Sequence, residues 1–330
     1  MRRYAPRRAT GGLRQRGRQP DPDPKLPQRL GRHRKRRQSL ATRRAARPQK
    51  TNRIARTHLG RHRKLRPRHW YDVLLDGPKK HRQIEDLKWM LRNIGKAGIP
   101  IMGYYFSLAG VWGWTSGPAG RGQAMPVVFD EGKIDAQAPI PNGMVWNMTY
   151  DTQAAPGTLP AVLRAEMWER LRWFLSEMLP VAEKNGVRLV AHPDDPPLPE
   201  LRNTARLFYN HTEYERLLDV SGSPANGFEF CMGTLQEMAD GDLYDLLDKH
   251  SAAGNIGYIH FRNVIGKVPH YREAFVDEGD LDMVRALRIL KKNKFDGVIT
   301  RFGRRHKSGG VAGQCGHGIA VLHYKSISVK

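Results

Sequence analysis

Three side chains that can bind a metal lie at the ends of three short apolar segments of the chain. They are His192, Cys231 and His260, separated by 39 and 29 residues. Intervals of this length accommodate one helix, one strand and the loops between them. Because successive parallel strands end on the same edge of a sheet, we expect the three side chains to converge there. Two imidazoles and a thiolate would supply most of the ligands of a divalent transition metal. Taken alone, Cys231 would be interpreted as a small buried core residue.

The sequence His-Pro-Asp-Asp-Pro-Pro begins at His192. Pro193 has no backbone donor, so the strand cannot continue and the imidazole is left at the strand tip. Asp194 and Asp195 could orient that imidazole or bind a substrate that is rich in hydroxyl groups. The alternative is a loop-capping cluster that contains a structural histidine.

Two polar residues, Arg262 and Asn263, follow the third candidate ligand. An arginine beside a metal site can hold a substrate carboxylate through two parallel hydrogen bonds, so we interpret this pair as substrate-binding. The alternative for Arg262 is an ordinary ion pair with an aspartate at the surface.

Three further residues, His270, Tyr271 and Glu273, lie in the segment after Asn263, which we expect to be a loop. Their side chains could transfer protons in a reaction at the metal site, so they are the candidate catalytic residues. A solvated turn explains them equally well.

Apolar periodicity predicts alternating strands and helices between residues 69 and 300, which is the pattern of an α/β fold. Parallel strands are predicted at 99–106, 187–192, 227–232, 256–261 and 295–300. Helices are predicted at about 84–94, 160–185, 211–219, 234–250 and 281–292, the last with Asp280 as its N-cap. A long loop rich in Gly, Pro and Trp is expected at 110–142, and such loops often serve function.

The positive charge of the chain is confined to one end. The net charge is +24, and residues 1–68 contain 25 Lys and Arg with only two acidic residues. This segment has no apolar periodicity, so we predict disorder. It could bind nucleic acid, direct the chain to an organelle, or be translated out of frame, and we favour the third interpretation. The remaining residues are nearly neutral, which argues against a DNA-processing barrel.

Other features of the composition predict a cytoplasmic protein. No apolar run approaches the length of a membrane span, and the amino terminus lacks the apolar core of a secretory signal. The two cysteines, Cys231 and Cys315, do not form a disulfide framework, which fits a reducing compartment.

Several longer motifs resemble the mannonate dehydratase family. They are His-Pro-Asp-Asp-Pro-Pro at 192–197, Phe-Cys-Met-Gly-Thr at 230–234, His-Phe-Arg-Asn-Val at 260–264, Glu-Gly-Asp-Leu-Asp-Met at 278–283, and the segments 93–100 and 108–114. The resemblance implies a xylose-isomerase-like (β/α)8 TIM barrel. It also implies dehydration of D-mannonate to 2-keto-3-deoxy-D-gluconate in hexuronate catabolism, with Mn²⁺ as the metal and Fe²⁺, Co²⁺ or Zn²⁺ as alternatives. The family's metal ligands correspond to His192, Cys231 and His260.

Both ends of the chain depart from this resemblance. The five predicted strands correspond to barrel strands four to eight, and residues 1–68 stand where the first three strands are expected. The family places a fourth ligand, an aspartate, in a Pro-Asp-His sequence after the last strand, whereas this chain has Arg301-Phe302-Gly303. Residues 301–330 form an atypical Gly- and Arg-rich tail. Both departures suggest a change of reading frame, near residues 69 and 300, and predict weakened metal binding and turnover.

We therefore predict a metal-dependent lyase of the mannonate dehydratase type that acts on a small sugar acid. The alternatives are a metal-dependent sugar isomerase or epimerase on the same barrel, and a nucleic-acid-binding protein that uses residues 1–68. An incomplete barrel would leave open strand edges, which favour association into a homo-oligomer.

Overall fold

Strands and helices alternate along the part of the chain that this computed structural model describes, residues 67–301 and 321–322. The strands are β1 (Ile101–Tyr104), β2 (Thr115–Ser116), β3 (Val127–Asp130), β4 (Met144–Val145), β5 (Met148–Thr149), β6 (Arg188–Ala191), β7 (Glu200–Leu201), β8 (Thr204–Ala205), β9 (Asn226–Cys231), β10 (Ile256–Phe261), β11 (Asn263–Lys267), β12 (His270–Ala274), β13 (Val298–Arg301) and β14 (Val321–Leu322). The α-helices are α1 (Tyr71–Leu75), α2 (Lys80–Lys96), α3 (Arg164–Lys184), α4 (His211–Glu215), α5 (Met232–Glu237), α6 (Leu243–Ala252) and α7 (Met283–Lys292). The predicted α/β class is confirmed.

The largest sheet has the strand order β1–β6–β9–β10–β13–β14. Its first five strands pair in parallel, and β14 pairs antiparallel with β13. These five are the predicted parallel strands, found within about three residues of their expected bounds. Every residue of β9 and β10 is buried, as expected for parallel strands that are covered on both faces.

Helix α3 shows how the apolar pattern determines the packing of the helices. It buries residues at helical spacing, Met167, Leu171, Phe174 and Met178, against the hydrophobic core. Phe174 packs on the fully buried Trp70, with 5.6 Å between ring centroids. The helix predicted at 160–185 is therefore confirmed, and its apolar face closes the core beside the sheet.

The helix predicted at 234–250 was wrong, because the structure has two helices, α5 and α6, in its place. Gly241 between them has a φ of +80°, a left-handed conformation that ends helical structure. Asp242 then begins α6, since its carboxylate accepts a hydrogen bond from the backbone N–H of Tyr244 at 2.6 Å. The helix predicted at 211–219 is likewise shorter, with α4 followed by a 3-10 turn at Leu218–Val220.

The predicted N-cap of the last helix was also wrong by two residues. Asp282 caps α7 by accepting hydrogen bonds from the N–H groups of Val284 and Arg285, both at 2.9 Å. The Asp280 carboxylate instead accepts the N–H of Gly266 at 2.7 Å and so fixes the loop before the helix.

A second, antiparallel sheet lies where the sequence indicated only loops. Its strand order is β11–β12–β3–β2, with β11 and β12 forming a hairpin. The segments 110–142 and 263–274 therefore contain strands, and the prediction that His270, Tyr271 and Glu273 lie on a loop was wrong. Strand β12 pairs with β3 so that Tyr271 lies opposite Phe129.

Several predictions fall mostly outside the described residues. For residues 1–68 we predicted disorder and considered a targeting segment or a change of reading frame. Only Pro67 and Arg68 of this segment are described, and they begin a 3-10 turn. The tail 301–330 is described only at Arg301 and at 321–322. Within the described ranges, no helix is both long enough and apolar enough to cross a bilayer.

Candidate metal centre

His192, Cys231 and His260 converge at the carboxyl ends of neighbouring parallel strands. Cys231 is the last residue of β9, its register partner on β10 is His260, and His192 follows β6 directly. One candidate ligand atom from each residue lies within 4.8 Å of the other two, and all three side chains are buried. The convergence expected from the spacing of the sequence is therefore present in the structure.

The ring orientation of His192 is fixed by its own turn. Its Nδ1 lies 2.6 Å from the carbonyl oxygen of Pro193, and a carbonyl oxygen can only accept a hydrogen bond. Nδ1 therefore donates to that carbonyl, and Nε2 is the ring nitrogen that would bind a metal. Pro193, which ends the strand, thus also provides the acceptor that orients the ligand.

Cys231 has the environment of a thiol that needs a metal to ionise. Burial raises its pKa to about 11, and the positive charge of Arg262 and a hydrogen bond with Thr234 only partly oppose this effect. A bound divalent cation would hold the thiolate form. Two imidazole nitrogens and a sulfur within mutual reach are a donor set that fits a divalent transition metal.

Glu229 is a fourth side chain at this centre, and sequence reasoning missed it. Its side chain is 0% exposed, and its Oε1 lies 3.1 Å from Nε2 of His260 and 3.9 Å from Nε2 of His192. Glu229 precedes Cys231 by two residues on β9, so both side chains are on the same face of the strand. That alternation is the signal by which the sequence could have identified it.

Arg262 is surrounded by three buried carboxylates beside the centre. Its guanidinium nitrogens lie 3.0 Å from Asp195, 2.8 Å from Glu237 and 3.0 Å from Glu273. Burial raises the pKa of Glu237 well above its ordinary value; Arg262 opposes this, and the negative charge of Asp195 adds to it. Glu237 therefore keeps its proton to a higher pH than an ordinary glutamate does, and Arg262 supplies the positive charge that all three carboxylates face.

The hydroxyl of Thr234 connects this carboxylate cluster to the candidate ligands. It lies 3.2 Å from Sγ of Cys231 and 3.0 Å from Oδ2 of Asp195. The other oxygen of Asp195 accepts a hydrogen bond from the Tyr271 hydroxyl at 2.9 Å, and Tyr271 in turn accepts one from Trp114 Nε1 at 2.9 Å. Burial raises the pKa of Tyr271 well above its ordinary value, so the phenol is protonated at neutral pH.

Three of the predicted site residues are placed differently from this group. The carboxylate of Asp194 pairs with the buried Arg206 at 2.9 Å. The amide of Asn263 hydrogen-bonds the backbone of Val276, Val264 and Leu281. The side chain of His270 is 66% exposed and pairs with Asp130 at 2.9 Å, whereas Tyr271 and Glu273 on the same strand are buried.

Comparisons with known proteins identify the family. The family model described as D-mannonate dehydratase (UxuA) matches residues 67–320. The chain belongs to the D-mannonate dehydratase family. The match extends beyond Thr300, where we predicted that the resemblance ends.

Individual relatives agree with this family assignment. Mannonate dehydratase 2 of Halalkalibacterium halodurans is 27% identical over 240 residues, which cover 69% of this chain and 69% of the relative. The mannonate dehydratase of Geobacillus thermodenitrificans is 27% identical over 251 residues, which cover 69% of this chain and 66% of the relative. The chain therefore spans about two thirds of the length of these dehydratases.

A solved structure supports the fold. The crystal structure of mannonate dehydratase from Streptococcus suis serotype 2 matches with a TM-score of 0.61 and 23% sequence identity, covering 75% of this chain and 69% of that chain. The predicted fold class, a partial α/β TIM barrel, is confirmed. The predicted enzyme class is also supported, because the mannonate dehydratase family consists of lyases.

Proposed function

We propose that this chain catalyses the metal-dependent dehydration of D-mannonate to 2-keto-3-deoxy-D-gluconate in hexuronate catabolism. The convergence of His192, Cys231 and His260 at the edge of the sheet supports this proposal most directly, because it supplies a divalent metal site in a dehydratase family. We propose Mn²⁺ as the metal, with Fe²⁺, Co²⁺ and Zn²⁺ as alternatives, and a cytoplasmic location.

The reaction requires a base, an acid and a means of stabilising negative charge. When bound, the divalent metal would neutralise charge on the substrate carboxylate as carbon 2 loses its proton. The electron pair of that C–H bond forms the C2=C3 double bond, and hydroxide leaves carbon 3 as water after receiving a proton. The resulting enol tautomerises to the 2-keto product. A general base and a general acid near the metal must perform the two proton transfers.

We propose Tyr271 as the acid, with Glu273 and Asp195 supporting the proton transfers. The raised pKa of Tyr271 keeps its phenol protonated, and the phenol already donates a hydrogen bond to Asp195. Asp195 is linked to Cys231 through the hydroxyl of Thr234, so this pair adjoins the metal ligands. His270 remains a predicted catalytic residue, but its exposed position supports such a role less than the position of Tyr271 does.

For substrate binding, we propose Arg262 and Asn263, with Asp194 and Asp195 as neighbours. Arg262 would reach the carboxylate of the substrate by releasing one of its three carboxylate partners, and until then it positions Asp195 and Glu273. Asn263 and Asp194 would contribute by holding the loops around the substrate in place. Asn263 does so through hydrogen bonds to the backbone, and Asp194 through its ion pair with Arg206.

The test is metal content and D-mannonate turnover of the full chain, before and after removal of metal by a chelator. We expect turnover to require added Mn²⁺, and His260→Ala to lower both metal affinity and turnover at least about tenfold. His81→Asn, a change at an exposed histidine on α2, is the matched control and should leave both unchanged.

Two results would contradict the proposal. A chain that binds no divalent metal would exclude the metal site, and formation of an isomer or epimer without loss of water would favour the sugar isomerase alternative. The family match favours the dehydratase over both that alternative and the nucleic-acid-binding one.

A further inference from the structure

We propose that Thr234 is a positioning residue that holds the sulfur of Cys231 for the metal and connects it to Asp195. The inference rests on the proposed function, since that function includes a metal bound by His192, Cys231 and His260. It adds a hydroxyl that acts through a metal ligand rather than on the substrate.

The chain places Thr234 beside the sulfur by passing from strand to helix without a loop. Cys231 is the last residue of β9, and α5 begins at Met232. Residues three apart at the start of a helix lie on the same side, so the side chain of Thr234 returns to that of Cys231. Its Oγ1 lies 3.2 Å from Sγ, and the residue is 0% exposed. The hydroxyl must therefore form its hydrogen bonds within the protein.

Gly233 allows this turn to pack directly against Arg262. A Cβ at Gly233 would lie 2.7 Å from both Cγ and Cδ of Arg262, so a larger residue would push the arginine away. In the position that the glycine permits, Nη1 of Arg262 lies 3.4 Å from the hydroxyl oxygen of Thr234 and 3.0 Å from Oδ2 of Asp195. One guanidinium nitrogen thus contacts both groups that the proposal connects.

The direction of these hydrogen bonds makes the proton of Thr234 available to the sulfur. A guanidinium can only donate, so the oxygen of Thr234 accepts from Arg262 and its own proton points elsewhere. That proton has two acceptors in reach, the sulfur and Oδ2 of Asp195 at 3.0 Å. Oδ2 of Asp195 already accepts from Arg262, and Oδ1 accepts from Tyr271 at 2.9 Å. When Cys231 binds a metal as a thiolate, its sulfur gains a donor from Thr234.

A hydroxyl that donates to a metal-bound sulfur has two physical effects. It stabilises the lone pairs of the sulfur, so that moving an electron from sulfur to the metal requires more energy. It also fixes the orientation of the ligand, and outer partners of this kind change metal affinity by about 10–100-fold. Because the same hydroxyl contacts Asp195, Thr234 couples the ligand to the proposed proton-transfer pair of Asp195 and Tyr271.

The experiment titrates Co²⁺ into the full chain and compares Thr234→Val with Thr234→Ser. Valine has nearly the shape of threonine without its hydroxyl, whereas serine keeps the hydroxyl. The wild type should show a thiolate-to-cobalt charge-transfer band. In Thr234→Val we expect this band to move to longer wavelength and Co²⁺ binding to weaken at least about tenfold. In Thr234→Ser the band and the affinity should stay near those of the wild type.

Thr204→Val is the matched control. Thr204 is also buried, at 1% exposure, and its hydroxyl donates to the carbonyl of Leu201 at 2.8 Å in the hairpin of β7 and β8. The same chemical change there removes a buried hydrogen bond that does not involve the candidate ligands. It should leave the band and the Co²⁺ affinity unchanged, whereas a purely structural role of Thr234 would make the two valine variants alike.

Two results would overturn the inference alone: a Thr234→Val variant that binds Co²⁺ with an unchanged band and affinity, or a Thr234→Ser variant as impaired as Thr234→Val. If Thr234→Val does not fold, a crystal structure of the wild type soaked in Zn²⁺ decides instead. Oγ1 within hydrogen-bonding reach of the zinc-bound sulfur would support the inference, and a hydroxyl turned to Asp195 alone would overturn it. A wild-type chain that binds no Co²⁺ would contradict the proposed function, and the inference with it.

Discussion

Arg262 is the positively charged side chain that pairs with all three buried carboxylates beside the candidate metal centre. Its side chain is almost fully buried, and each of its nitrogens faces a carboxylate of Asp195, Glu237 or Glu273. Removing one partner from such a group leaves charges in a medium that cannot solvate them, which costs more than the pair itself contributes. The arrangement therefore makes the fold sensitive to this one side chain.

We expect Arg262→Met to lower the free energy of unfolding by about 3–5 kcal/mol, because buried carboxylates then lose their cation. Urea denaturation of the full chain measures this difference. The matched control is Arg121→Met, where the arginine is 58% exposed and pairs with Asp277 at the surface. That change should cost less than about 1 kcal/mol, and equal losses in the two variants would contradict the argument.

His250 links the stability of the fold to pH. Its Nδ1 lies 3.0 Å from the amide nitrogen of Asn255 and accepts its proton, while Nε2 lies 2.6 Å from Glu215. This geometry suits the neutral ring. Burial lowers the pKa of His250 from its usual 6.5 and outweighs the opposing effect of Glu215.

The sign of the pH effect follows from where the proton binds. The unfolded chain takes up a proton at His250 near pH 6.5, and the folded chain does so only at lower pH. Between these values the unfolded state holds more protons, so the contribution of His250 is present above about pH 6.5 and is lost as the pH falls. Stability should therefore decrease between about pH 7.5 and 5.5, and less so in His250→Gln. Parallel pH profiles of the two proteins in urea denaturation would refute this role.

Sequence reasoning identified the candidate ligands because each ends or follows an apolar strand, a pattern that is visible locally. It could not identify Thr234 or Glu237, whose roles depend on α5 lying against the end of β10. Sequence reasoning also could not predict that Asn263 hydrogen-bonds the backbone of Leu281 or that Asp194 pairs with Arg206. The spacing of residues along the chain does not show which polar groups of a loop need a hydrogen-bonding partner.

At the scale of elements, long periodic segments were predictable and short ones were not. The five parallel strands are bounded by turn residues and consist of apolar runs, so their positions follow from pattern alone. The hairpin of β11 and β12 mixes polar and apolar residues and forms because β12 pairs with β3, more than 130 residues earlier in the chain. Such pairing depends on tertiary contacts that local periodicity does not encode.

The start of α7 gives an element-scale prediction. Asp282 accepts two backbone N–H groups in the first turn, so Asp282→Ala should lower the free energy of unfolding by about 1 kcal/mol. Asp282→Asn keeps an accepting oxygen at the same position and should retain most of the stability. Urea denaturation distinguishes the two, and an equal loss in both variants would show that the charge matters rather than the cap.

At the scale of the whole molecule, the largest sheet has two edge strands within the described ranges 67–301 and 321–322, β1 and the two-residue β14. Of these, β1 is the edge of the parallel part of the sheet, and it pairs with β6 on one side and with no described strand on the other. An edge of this kind can pair with another chain, so the predicted homo-oligomer remains a prediction that this edge supports.

Metal binding should stabilise the whole molecule, because the candidate ligands come from or directly follow three adjacent strands, β6, β9 and β10. A cation that binds only the folded state adds about 2.7 kcal/mol when its concentration is 100 times its Kd. The full chain should therefore melt at a higher temperature with Mn²⁺ or Zn²⁺ than after chelation. Cys231→Ala should reduce this shift, since it removes the sulfur ligand, and Mg²⁺ should produce a smaller shift because it prefers oxygen ligands. An equal shift with Mg²⁺, or in Cys231→Ala, would mean that the stabilising ion binds elsewhere.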